Sequence, residues 1–314
     1  MTETGYRPPM ENSGRRKEDV LWIRARMIQA IRNFFIFHDY LEVETPYRVP
    51  APAPEVHIDA PCSGDWFLHT SPELCMKRLL AAGYPLLFQI CKCFRKGERG
   101  TRHLPEFTML EWYHAGIDYG ELMKECEELL SSLFIELGCG DTLSYQGKSI
   151  LLTPPWQRVA LAEAFSLYAP LPLAEALKRD CFDEMMAVHI EPRLGMDRPT
   201  FVYDYPLHPG SLARAKKDDP TLSERFELYV GGLELANGFS ELNDEKEQRA
   251  RFQDAEMLRR TEGKAVYPPP YRFLEVLDAM PEAAGIALGL DRLAMIMTYR
   301  AAIDDVVAFT PEDL

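Results

Sequence analysis

The stretch LLFQICKCFRKGERGTRHLPEFTMLEWY, Leu86 to Tyr113, decides how the rest of the chain is read. Its ends have the composition of strands. Leu86–Phe94 mixes Leu, Phe, Ile and Cys, and Pro105–Tyr113 is rich in Phe, Thr, Trp and Tyr. The pattern predicts two strands joined by a charged loop that carries Lys96, Arg99 and Arg102 with Gly97 and Gly100. Strand side chains alternate between faces, so Phe107, Met109, Glu111 and Tyr113 share one face. A loop dense in guanidinium and ammonium groups suits a polyphosphate, because Arg forks onto two phosphate oxygens at once. From these residues alone, a solvated hairpin loop is an equally good account.

The whole chain has 314 residues, ample for a sizeable core, with 46% hydrophobic and 27% charged residues. No apolar run approaches the roughly 20 residues that span a bilayer. The start, MTETGYRPPMENSGRRKEDV, has no apolar segment of the kind a secretory signal needs. A soluble, cytoplasmic protein is expected, with no membrane partner. Seven cysteines without paired-doublet spacing predict reduced thiols rather than disulfides or a zinc site. A net charge of −14 offers no general attraction to nucleic acid.

Outward from the hairpin, residues 1–17 read as a polar tail and the rest as one domain. Apolar residues at three- and four-residue steps predict a helix from about Glu18 to Asp39. LEVETP, Leu41 to Pro46, alternates like a strand and stops at proline. A Pro- and Ala-rich loop, Val49 to Glu55, follows. Ser71, Pro72 and Glu73 then open a helix: a good cap, a residue suited to the first turn, and an acid at the positive helix end. Asp118–Leu137 is amphipathic, residues 154–194 read as a helical insertion without chemistry, and Pro199–Pro206 as a strand.

Two later stretches carry further chemistry. In RFELYVGGLELANGFSEL, Arg225 to Leu242, Glu234 and Glu241 are seven apart, so a regular strand would put them on opposite faces. They converge only if a bulge shifts the register, and Asn237-Gly238 is the expected place. The same dipeptide is also a strong hairpin-turn signal, and sequence alone prefers that turn. GIALGLDRLAMIMTY, Gly285 to Tyr299, reads as strand, glycine turn and helix.

FRKGE…RHLPEFTMLEWY resembles motif 2 of the class II aminoacyl-tRNA synthetases in the lysyl branch. The Arg225–Leu242 and Gly285–Leu293 stretches are similar to the same branch, and the helix plus LEVETP resembles motif 1. The resemblance spans about Glu18 to Thr310 and implies an α+β fold, a mostly antiparallel sheet flanked by helices, working as a homodimer through motif 1. It also implies the site. Arg95 would hold the ATP α-phosphate and Arg292 the terminal phosphate. Lys96, Gly97, Glu98, His103, Leu104, Leu235 and Gly289 would line the nucleotide, and Glu234 would face ATP and its Mg²⁺. Ser71, Pro72, Glu73, Glu111, Tyr113, Asn237, Glu241 and Ala287 would line the amino-acid pocket. Carboxylates there suit a substrate with two ammonium groups, whose desolvation needs anionic partners.

Motif 1 begins near Glu18, so the anticodon-binding domain of the lysyl-tRNA synthetases is not expected. The chain is most similar to the elongation factor P–(R)-β-lysine ligase family, so elongation factor P, rather than tRNA, is the implied acceptor. Ala287 stands where the lysyl branch usually has Gly, and a methyl there suits a shifted amino group. Two departures stand out: Gly97 replaces the acid of motif 2, which moves to Glu98, and Leu104 replaces an Asn. Two other readings stay open: a lysine-activating enzyme that charges tRNA or another small acceptor, and a non-catalytic paralogue.

Overall fold

The computed structural model describes residues 17–314 other than position 209. All but Lys17 of the expected tail lies outside them. Eight strands form the main sheet: β1 (Leu41–Glu42), β2 (Leu86–Phe94), β3 (Glu106–Ala115), β4 (Gln157–Ala160), β5 (Thr200–Pro206), β6 (Leu222–Val230), β7 (Leu233–Ser240) and β8 (Ala283–Gly289). Their order is β1-β2-β3-β8-β7-β6-β5-β4. Pairing is antiparallel through the centre and parallel only at the two edges, β1 with β2 and β4 with β5. The strand expected over Leu41–Pro46 is thus only two residues long. The region 154–194 is not purely helical, because it supplies the edge strand β4.

Five helices matter for the site: α1 (Lys17–Phe37), α2 (Glu73–Ala81), α3 (Tyr119–Glu136), α4 (Glu245–Thr261) and α5 (Leu290–Thr298). Helices α1, α3 and α5 lay Met27, Ile31, Phe35, Leu129, Leu133 and Met297 on one face of the sheet, against Leu110, Trp112, Ile286 and Leu288. Each such side chain contributes about 1.5–3 kcal/mol on burial. Asp118 caps α3 by accepting from the Gly120 and Glu121 amides. A buried ion pair links this layer to the sheet. Arg24 of α1 meets Asp291 of α5 at 2.6 Å, and Asp291 also accepts from the Thr108 amide of β3.

Alternation leaves the other face of the same strands for polar side chains. Here the hairpin expectation at Asn237-Gly238 fails. The turn between β6 and β7 is Gly231-Gly232, both with positive φ, a conformation that glycine adopts without steric cost. Gly238 is mid-strand, opposite Phe226. A Cβ there would stand 2.6 Å from the Phe226 ring, so the glycine makes room for a core aromatic. The register shift does exist, but at Leu235, between the pairs Tyr229–Glu234 and Leu228–Ala236. That one extra residue puts Glu234 on the face of Asn237 and Glu241.

Candidate active site

Strand register builds the site as rows across the open face. Glu111, Ala287, Asn237 and Glu227 stand opposite one another on β3, β8, β7 and β6. Tyr113, Gly285, Phe239 and Arg225 form the next row. Gly285 is bare because its neighbours fill the space: a Cβ would come within 2.5 Å of Glu241 Oε1 and closer still to the Tyr113 ring.

One end of the face is a carboxylate pocket closed by a lysine. Lys77, on α2 and buried, donates to Glu73 Oε1 at 2.6 Å and pairs with Glu241. Burial and the neighbouring Glu73 push the Glu241 carboxyl up to about 8, against the pull of Lys77. Among the described residues, Glu241 Oε1 is buried without a hydrogen-bond partner. Ser71 donates to Glu111 Oε1 at 2.5 Å and accepts from the Glu73 amide at 3.0 Å. Ser71 therefore both steadies the start of α2 and fixes the pocket acid. Tyr113 donates to Glu111 Oε2 at 3.0 Å. Burial first, then Glu73, holds Glu111 well above the usual carboxylate range. The pocket has more acid than its one lysine can satisfy.

The other end is cationic. Arg95 stacks over the Phe107 ring at 5.0 Å, and its buried Nε has no hydrogen-bond partner among the described residues. Arg292 donates to the Glu234 carbonyl at 2.9 Å, to Glu234 Oε2 at 3.2 Å and to His103 Nε2 at 2.7 Å. Burial, then the Arg292 charge, lowers the His103 pKa. His103 also lies within electrostatic reach of Arg95, Glu98 and Glu234, so the two arginines share one region. Glu55, on the Pro- and Ala-rich loop, joins the two ends. Burial raises its pKa, Arg95 and Arg225 oppose that rise, and Glu73 adds to it. Arg225 donates to Asn237 Oδ1 at 3.0 Å and pairs with Glu227.

The structure brings together the predicted Ser71, Glu73, Glu111, Tyr113, Asn237, Glu241 and Ala287 at one end, and Arg95, Glu98, His103, Glu234 and Arg292 at the other. Pro72 is buried under the start of α2, where its carbonyl accepts the Cys75 and Met76 amides. Lys96 and Gly97 are exposed at the hairpin tip, and Gly97 takes a positive φ. Gly289 ends β8 beside Arg292 and the Leu235 carbonyl. Leu104 and Leu235 bury their side chains in the core, so only their backbone groups are left to line a nucleotide. Of the three loop cations, Arg99 is occupied by Asp304 and Glu312. Sequence reasoning missed Lys77, Glu55 and Arg225. Glu73-x-x-x-Lys77 is a helical pair visible in the sequence, but it reads as an ordinary surface ion pair. Nothing in the sequence marks Glu55 or Arg225.

A mostly antiparallel sheet flanked by helices is the fold that the resemblance to the class II synthetases implies. Residues 10–313 match the family model for tRNA synthetases class II (D, K and N), and the chain belongs to that family. Its curated relatives narrow this to the elongation factor P–(R)-beta-lysine ligases. The Erwinia tasmaniensis protein of that name is 39% identical over 91% of this chain and 93% of its own length. That of Vibrio parahaemolyticus is 38% identical over 91% and 94%. That of Salmonella arizonae is 38% identical over 91% and 93%. Among the described residues no helix is long and apolar enough to cross a membrane.

Proposed function

We propose that this chain activates (R)-β-lysine with ATP and transfers it to a lysine of elongation factor P. The observation that carries the reading is a pair of arginines and an acid-rich pocket on one face of a single sheet. Arg95, backed by Phe107, holds the α-phosphate while the amino-acid carboxylate attacks it. Its unpartnered Nε is a donor waiting for an acceptor. Arg292, steadied by Glu234 and His103, would hold the terminal phosphate. Glu98 takes the place of the missing acid at Gly97. Glu234 sits 38% exposed at the cleft, and its carboxylate oxygens suit Mg²⁺, which would neutralise phosphate charge.

The first step forms a carboxylate–phosphorus bond and releases pyrophosphate. In the second, a lysine ε-amine attacks the adenylate carbonyl, an amide forms and AMP leaves. No side chain becomes covalently attached, so the enzyme works by positioning and charge. Glu111, Glu241 and Glu73 receive the two ammonium groups. The Ala287 methyl lies in the same row as Glu111 and Asn237 and narrows the pocket between them. A size filter of this kind is worth about 1–3 kcal/mol.

The experiment is mass spectrometry of elongation factor P after incubation with this protein, ATP and either lysine isomer. The expected result is the mass of one β-lysyl amide, with AMP in step. Efficient charging of tRNA with α-lysine and no protein product would favour the tRNA-charging alternative, and no AMP with any acceptor would favour a binding protein.

A further inference from the structure

On the floor of the cleft, packed against Phe107 and Ala287 but not used in the reaction above, β2 carries Cys91 and Cys93 on the face of Glu111. Partners Met109 and Phe107 fix their register. Their sulfurs stand 3.9 Å apart, and the Met109 thioether is 3.9 Å from Cys93 Sγ. His69, from the loop before α2, completes the cluster: its ligand nitrogen and the two sulfurs all lie within 4.8 Å of one another. All three residues are buried. His69 Nε2 lies 2.7 Å from the Lys92 carbonyl, and a carbonyl only accepts. The ring proton therefore sits on Nε2 and the lone pair on Nδ1. That buried Nδ1 has no nitrogen or oxygen partner among the described residues and is left to the Cys91 thiol, and His69 is only 2% exposed.

We propose that His69, Cys91 and Cys93 form a binding site for one thiophilic divalent cation of the zinc class, with Met109 closing the fourth side. The separations fit. Two thiolates about 2.3 Å from one tetrahedral zinc stand about 3.8 Å apart. A disulfide needs the sulfurs at about 2.0 Å, which two neighbours on one face of a paired strand reach only by bending the ladder. An imidazole that gives its other N–H to a backbone carbonyl is the usual support for a metal-ligating histidine. Charge selects the ion: two thiolates and a neutral imidazole around a divalent cation are neutral overall, as a dry site demands, whereas a monovalent cation leaves a buried negative charge. The bound ion would tie the loop ahead of Ser71 to the sheet floor beside Glu111. The site does not depend on which acceptor or amino acid the chain uses.

The test titrates the full chain, first stripped with a chelator, with Zn²⁺ or Cd²⁺. We expect one tight equivalent, an ultraviolet sulfur-to-cadmium charge-transfer band, and an X-ray absorption shell of two or three sulfurs with one nitrogen. Cys91→Ser, Cys93→Ser and His69→Gln should each weaken binding more than about tenfold. Cys62→Ser, at an exposed thiol, should not. A shell of oxygen and nitrogen alone in the unsubstituted protein overturns the proposal even if every variant fails to fold. So does a charge-transfer band that survives both serine substitutions.

Discussion

Lys77 shows how much one side chain can carry. It is 1% exposed, paired to two acids, and removing its charge leaves Glu73 and Glu241 facing each other in a dry pocket. Lys77→Met should therefore destabilise the fold by about 3–5 kcal/mol in a denaturant titration. Glu241 sets a pH dependence. Its ordinary value is 4.5 and its folded value about 8. Between those values the folded chain holds a proton that the unfolded chain releases, so stability falls as pH rises through that window. Glu241→Gln should flatten the slope by up to about 1.4 kcal/mol per pH unit. A dicationic amino acid displaces the same proton, so its affinity should rise with pH over the window. At the cationic end, Arg95→Ala or Arg292→Ala should lower the rate of ATP–pyrophosphate exchange by roughly 100–1,000-fold, the usual loss when one charge-stabilising donor is removed. A change in stability without that loss would place these arginines in the scaffold.

Among elements, the β6–β7 pair shows where local patterns mislead. Asn237-Gly238 has turn chemistry, but the stronger constraint is non-local: Phe226 occupies the space a side chain at 238 would need, and β8 pairs along the other edge of β7. Gly238→Ala should cost about 1–3 kcal/mol through overpacking, read in thermal unfolding, with little change in KM for ATP because its side faces the core. The helices and the central hairpin were far more legible. The helix expected over Asp118–Leu137 is Tyr119–Glu136, and the strand expected over Leu86–Phe94 has those bounds. Each is set by near neighbours in the chain: an Asp cap and a 3.6-residue apolar stripe in one, a β-rich run ending at a charged loop in the other. The insertion was the least legible, because β4 becomes a strand only through its pairing with β5.

At the scale of the whole molecule, the surface of α1 bears on assembly. Helix α1 buries one face on the core, yet Ile36 and Phe37 are 60% and 83% exposed, and Leu41 beyond it is 47% exposed. Apolar surface of this kind along the motif 1 region supports the homodimer as a proposal. Phe37→Glu should shift the mass measured by light scattering from dimer toward monomer at low micromolar concentration. A wild-type protein already monomeric there would remove the proposal.

The sequence by itself determined the hairpin and the main helices through periodicity and caps, which are properties of neighbouring residues. It pointed to the class of fold and to candidate cleft residues through stretches that resemble a known family. Tertiary structure alone decided that Glu234 and Glu241 share a face, that Lys77 sits between two acids, that Leu104 and Leu235 turn inward, and that His69 meets two thiols. Each of these depends on strand register and on contacts between distant segments. One extra residue in a ladder moves a side chain from one face to the other, and no local pattern records where that residue falls.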